Sequence, residues 1–302
     1  MASAILQGRW TDQRVVFLGD STVRYLYLTM VNIAAAPSKA SVTGWSLCTR
    51  YCYWNEHTWL GWSEFYRGTS LANASYCDCY RADGTFLPSE MMENRFNEVG
   101  GAALDYFQLL DINAPLRGTW WPGDPDALRT AHKAWAPSWQ LQLEIASKTL
   151  FAAMKPTAFV VNVGHHLSRN SNKFLGTYDD AKLAVVYERL SRALHALTPN
   201  VIWVTSIGNH AVHGNGLRME HRVIPKHFRN IFNTSTWLAA LRGTEHFYDG
   251  NLHLQVNDNI ALACGLMETL HQDLIPSTGA KHICGEDGRA GVASHGGITP
   301  LK

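Results

Sequence analysis

The first uninterrupted apolar run of the chain, Val15-Val16-Phe17-Leu18 after Arg14, stops at Gly19-Asp20 and predicts a short strand buried on both faces. The period then changes. From Ser21 to Ala36 (STVRYLYLTMVNIAAA) apolar residues recur at helical spacing behind a serine able to cap the first turn. The alternation continues with a strand at Ala103 to Leu109, a helical segment from Asp126 to Met154 and a strand at Ala158 to Asn162. It ends with an amphipathic helix from Tyr178 to Leu197, a strand at Val201 to Thr205 and a helix from Val256 to Leu274. Strands alternating with helices predict an α/β three-layer sandwich, with a mainly parallel central sheet covered by helices on both faces.

Two segments depart from this pattern. Pro37 to Gly100 shows no sustained period and is rich in Trp, Tyr, Cys, Ser and Gly, including Trp45, Trp54, Trp59 and Trp62, so it reads as a long loop. Its aromatics fit carbohydrate stacking and a packed, stapled loop equally well. Pro276 to Lys302 is Gly-rich with few large apolar residues and reads as a flexible tail after a single domain spanning 1–275. No internal repeat, heptad or linker divides the chain.

Composition narrows the compartment and the ligand. With 302 residues, 46% hydrophobic and 17% charged, the chain can bury one sizeable core. A net charge of +1 provides no basic field for a nucleic-acid backbone and favours a neutral or small ligand. Six cysteines are many for a reduced cytosolic enzyme. Cys48, Cys52, Cys77 and Cys79 are candidates for disulfides that staple the long loop, with Cys264 and Cys284 nearer the C-terminus. Free core thiols are the alternative, and Cys264, within an apolar helical run, is the clearest candidate for one. The cysteine spacings do not form the paired C-x-x-C of a structural zinc site. Asn73-Ala74-Ser75 and Asn233-Thr234-Ser235 are glycosylation sequons. No apolar run approaches the ~20 residues that cross a bilayer, and Met1 to Trp10 lacks the apolar region of a signal peptide. The expectation is a Golgi-luminal or secreted domain, with any membrane association made through a segment absent from this chain.

In a doubly wound sheet, ligands bind at the carboxyl ends of the strands, and three short motifs fall there. Gly19-Asp20-Ser21-Thr22-Val23-Arg24 places a serine at a helix N-terminus, where backbone N–H groups and the helix dipole can hold an oxyanion. Its bland alternative is an ordinary helix cap. Asn162-Val163-Gly164-His165 offers an amide donor beside a glycine that lets substrate approach the backbone, or merely a turn. Asp249-Gly250-Asn251-Leu252-His253 places an imidazole near a carboxylate just before the last helix, which is what a serine nucleophile needs near neutral pH. His165, His166, His210 and His213 lack an acidic ligand at suitable spacing, so no metal site is expected.

Together, early Gly-Asp-Ser, central Asn-x-Gly and late Asp and His resemble the SGNH (GDSL-like) superfamily. More narrowly, Gly-Asp-Ser-x-x-Arg and Asn162-Val163-Gly164-His165 resemble its PC-esterase branch, which includes the trichome-birefringence-like polysaccharide O-acetyltransferases and the luminal sialic-acid O-acetyltransferase domain. Cys77-Asp78-Cys79 and Glu93-Asn94-Arg95 add to that likeness. The motifs span Val15 to Leu274. The resemblance implies Ser21 as nucleophile, His253 as base and Asp249 as its orienting carboxylate. It also implies an oxyanion hole from Ser21 N–H, Asn162 and either Gly44 or Gly100, and substrate contacts from Arg24, Gly164 and His165. One departure stands out: the family pattern is Asp-x-x-His, whereas Gly250 occupies the position three before His253. The implied reaction is O-acetyl transfer to a glycan through an acyl-serine, without a bound cofactor, from a donor such as acetyl-CoA or an acetylated carrier. A carbohydrate acetylesterase with the same triad and a non-catalytic glycan-binding module are the alternatives.

Overall fold

The computed structural model describes residues 10–35, 75–79, 93–99, 101–108, 147–162, 180–207, 220–237, 254 and 256–274. Seven strands form one sheet: β1 (Arg14–Gly19), β2 (Ser75–Cys79), β3 (Glu93–Val99), β4 (Ala102–Gln108), β5 (Ala158–Asn162), β6 (Val201–Val204) and β7 (Asn230–Phe232). Their order is β2-β3-β4-β1-β5-β6-β7. The five strands from β4 to β7 in that order pair in parallel, and β3 pairs antiparallel with both β2 and β4. The α/β class and mainly parallel sheet expected from the pattern are present.

The helices are α1 (Ser21–Ala35), α2 (a π-helical stretch Ser147–Phe151 continuing through Ala152–Met154), α3 (Asp180–His195), α4 (Thr234–Trp237) and α5 (Val256–Leu274), with a 3-10 turn at Ile224–Lys226. Alternation along β1 separates two cores. Val15 and Phe17 join α1 and α5 residues such as Leu26, Val31, Leu262 and Leu266 on one face. Val16 and Leu18 join Phe151, Tyr187 and Leu190 from α2 and α3 on the other. All four β1 side chains are fully buried, which explains why an unbroken apolar run was required at the centre of the sheet.

β2 and β3 lie within the segment expected to be loop, and β7 was not anticipated. Within the expected helix 126–154 only 147–154 is described, and it is helical. Cys264, the candidate free core thiol, is disulfide-bonded on α5. Among the described residues, no helix is long and apolar enough to cross a membrane.

Glycine is needed where β1 ends. A Cβ on Gly19 would collide with the Asn162 carbonyl oxygen and with the Val23 side chain, whose Cβ lies 2.7 Å from that position. Neither obstacle is a flexible side-chain end, so the end of β1 passes closely between β5 and the first turn of α1. Gly19→Ala should therefore lower the unfolding free energy by ~1–3 kcal/mol, a typical cost of overpacking. Urea denaturation of the two proteins measures the difference, and equal midpoints would contradict the tight approach.

Candidate active site

Strand order places β1 at a topological switch: the chain continues to β4 on one side and to β5 on the other. The crevice at such a switch is the usual ligand site of an open α/β sheet. Ser21 stands there as the first residue of α1. The helix cap comes from Asp20 and not from the serine: Thr22 donates to Asp20 Oδ1 through both N (2.8 Å) and Oγ1 (2.6 Å). Asp20 is fully buried, while Ser21 is half-buried. With the cap formed by its neighbour, the serine hydroxyl is not required for it.

The turn is also held from β4. Tyr106 Oη donates to the carbonyl oxygens of Gly19 and Asp20, each at 3.1 Å. Register places Tyr106 beside Phe17 of β1, and its ring stacks on Tyr27 of α1 at 5.6 Å. Arg24 is buried, its guanidinium 4.8 Å from the Tyr25 ring centroid and its Nη2 donating to Tyr25 Oη at 3.2 Å. It is therefore an interior cation on the first turn rather than a solvated helix residue.

Asn162 is opposite Gly19 at the end of β5. Its Nδ2 lies within donating distance of Val204 O (2.6 Å), Ser206 Oγ (3.1 Å) and Glu220 Oε1 (3.3 Å). Two amide hydrogens cannot serve three acceptors and an oxyanion at once. In this arrangement Asn162 ties β5 to the end of β6, and an oxyanion role requires its amide to turn.

Glu220 is the acceptor that gathers this end of the sheet. It is 3% exposed and accepts from Trp203 Nε1 (2.6 Å) and, through both oxygens, from Ser206 N (3.1 Å). Burial pushes its carboxyl up to about 7 despite these donors, and the Asp20 carboxylate adds to the shift. Away from the crevice, Asp105 pairs with Arg14 at 2.7 Å, and burial raises its carboxyl to about 7 as well. Neither Tyr106 nor Glu220 was anticipated. No motif marks them, because their roles arise from strand register and from a contact 58 residues away in sequence.

Gly44, Cys48, Cys52, Asn73, Gly100, Gly164, His165, Asp249 and His253 lie outside the described residues. Val99 pairs with Ala102, and Gly101, with φ +84°, accepts from Asp12 N. Cys77 and Cys79 lie on β2. Asn233, between β7 and α4, is exposed. Leu254, next to His253, is buried in the core shared with α1, and its carbonyl accepts from Asn259 Nδ2 at 3.1 Å. Among the described residues, no group of three or more His, Cys, Asp or Glu is placed to hold a metal ion.

A raised carboxyl pKa sets the direction of a pH dependence. Between about 4.5 and 7 the unfolded chain has lost the Glu220 proton that the folded chain keeps, so stability is greatest below that window and falls as pH rises through it. Glu220→Gln should shrink the fall, by on the order of 1 kcal/mol per pH unit, while Asp105 maintains a residual slope. Thermal melts of both proteins from pH 4.5 to 8 provide the test, and parallel curves would remove Glu220 from the titration.

No family model matches the sequence, and no curated protein or solved structure matches it either.

Proposed function

We propose that the chain is a serine-dependent O-acyltransferase that moves an acetyl group to a glycan hydroxyl, on an SGNH-like fold with disulfide-stapled loops. The observation that carries the reading is the position of Ser21: first residue of a helix, directly after the central strand, at the switch between β4 and β5. At that place the helix N-terminus favours a developing negative charge. His253 removes the hydroxyl proton as Ser21 Oγ attacks the acyl carbonyl, and Asp249 orients the imidazole. The donor fragment departs with that proton, leaving acyl-Ser21. A sugar hydroxyl then loses its proton to His253 and takes the acyl group, which restores the serine. The donor is acetyl-CoA or an acetylated carrier, and no bound cofactor is needed. Arg24 shapes the first turn of α1 from the interior; Gly164 and His165, next after Asn162 and Val163 in sequence, contact the acceptor. The disulfide at Cys264 supports an oxidising compartment, Golgi lumen or outside the cell.

Labelling with a fluorophosphonate probe tests the nucleophile. The native chain should label and Ser21→Ala should not; a folded native chain that stays unlabelled moves the non-catalytic glycan-binding reading ahead. Asp249→Asn should lower turnover by orders of magnitude, and unchanged turnover would exclude Asp249 from the mechanism. With an acetyl donor and added oligosaccharide, acetylated sugar marks a transferase, whereas acetate release alone marks an esterase. Expressed through a secretory pathway, the protein should lose mass on enzymatic removal of N-glycans, and Asn233→Gln should abolish that part of the loss due to Asn233.

A further inference from the structure

We infer that Tyr106 is a positioning residue for the oxyanion donor of the Ser21 centre. The inference rests on the reading of Ser21 as nucleophile and extends it to a residue on a different strand. The Asp20 carbonyl oxygen accepts from Arg24 N at 3.0 Å, the first i to i+4 bond of α1, so this carbonyl points along the helix toward its C-terminus. In a trans peptide the N–H is antiparallel to the C=O. The Ser21 N–H therefore points out of the helix N-terminus, away from the i to i+4 ladder. Whatever fixes the Asp20 carbonyl fixes this donor.

Tyr106 supplies that fixation. Its single hydroxyl hydrogen is shared between Asp20 O and Gly19 O, both 3.1 Å away, spanning the two peptides at which strand becomes helix. The phenol is fully buried, and stacking on Tyr27 together with the edge contact between Tyr27 and Phe17 limits its movement. Polarising the Asp20 carbonyl also strengthens the N–H of the same peptide as a donor. Since Asn162 directs its amide toward β6, the backbone N–H at Ser21 is the oxyanion donor that the described geometry already holds in place. Such preorganisation matters because a donor aimed in advance avoids reorganisation during the reaction.

Tyr106→Phe deletes one hydroxyl and keeps the ring. With p-nitrophenyl acetate as probe, kcat should fall about ten- to a hundredfold while KM stays within about twofold, less than the ~10²–10³ lost when an oxyanion donor itself is removed. Fluorophosphonate labelling should slow in parallel. Thr29→Ala controls for stability, because it removes another buried hydroxyl, the one donating to Tyr25 O in the same helix, and should leave kcat unchanged. Unchanged kcat in Tyr106→Phe, or an equal loss in Thr29→Ala, would overturn the inference while leaving Ser21 as nucleophile. A folded native chain that neither labels nor turns over would remove the nucleophile reading, and this inference with it. If Tyr106→Phe does not fold, 3-fluorotyrosine at position 106 replaces it: a shift in kcat without a shift in KM supports the role, and identical kinetics overturn it.

Discussion

The structure depends on how closely β1 is enclosed. Its strand has parallel partners on both sides, and residues from Val15 to Asp20 are removed from solvent. Where the ladder ends, the chain must turn into α1 within a space bounded by the Asn162 carbonyl and Val23, and Gly19 is the residue that fits. The carbonyls leaving the ladder still require donors, because an unpaired buried peptide group costs as much as a lost hydrogen bond. Tyr106 and Arg24 N supply them. The serine turn is thus positioned by the demands of burying a central strand, before any chemistry is considered.

A second constraint acts at the neighbouring strand ends. β5 and β6 finish beside each other, and their terminal polar groups converge on Asn162, Ser206 and Glu220. Burial makes the Glu220 carboxyl bind its proton more firmly than one in water, against the pull of its donors, so the junction stays largely neutral in mildly acidic surroundings. With Asp20 also buried nearby, that neutrality limits repulsion between two acids.

Much of this fold was legible because the central elements obey simple periods. The runs of β1, β5 and β6 are apolar on both faces, and α1, α3 and α5 show their buried stripes. β2 (SYCDC) and β3 (ENRFNEV) were missed because their polar side chains obscure the two-residue period. The signal overlooked was the Gly-Gly dipeptide in the sequence, a composition favoured in hairpin turns, just before Ala102, which pairs with Val99. The positions of Gly19, Ser21 and Asn162 at strand and helix ends were legible because a strand followed by a glycine or a polar residue is a local pattern. Asp20 took the cap expected of Ser21, since the helix begins at Ser21 itself and its N2 donor, Thr22 N–H, falls to the residue before it. Tyr106 and Glu220 could not be found that way: strand register joins Tyr106 to a carbonyl 86 residues earlier, and only the fold brings Glu220 to Ser206, Trp203 and Asn162, which lie 14, 17 and 58 residues before it.

Among the described residues the outermost strand on the far side is β7, with three residues, and the chain turns at once into α4, where Thr234 Oγ1 and Thr205 Oγ1 are 2.8 Å apart. A rim this short presents only a brief row of backbone groups to a passing strand. Sheets recruit foreign chains along long, flat borders, and brevity is one of the ways natural proteins discourage it. Among the described residues, that border is kept short, with neither a charge nor a proline in β7 itself.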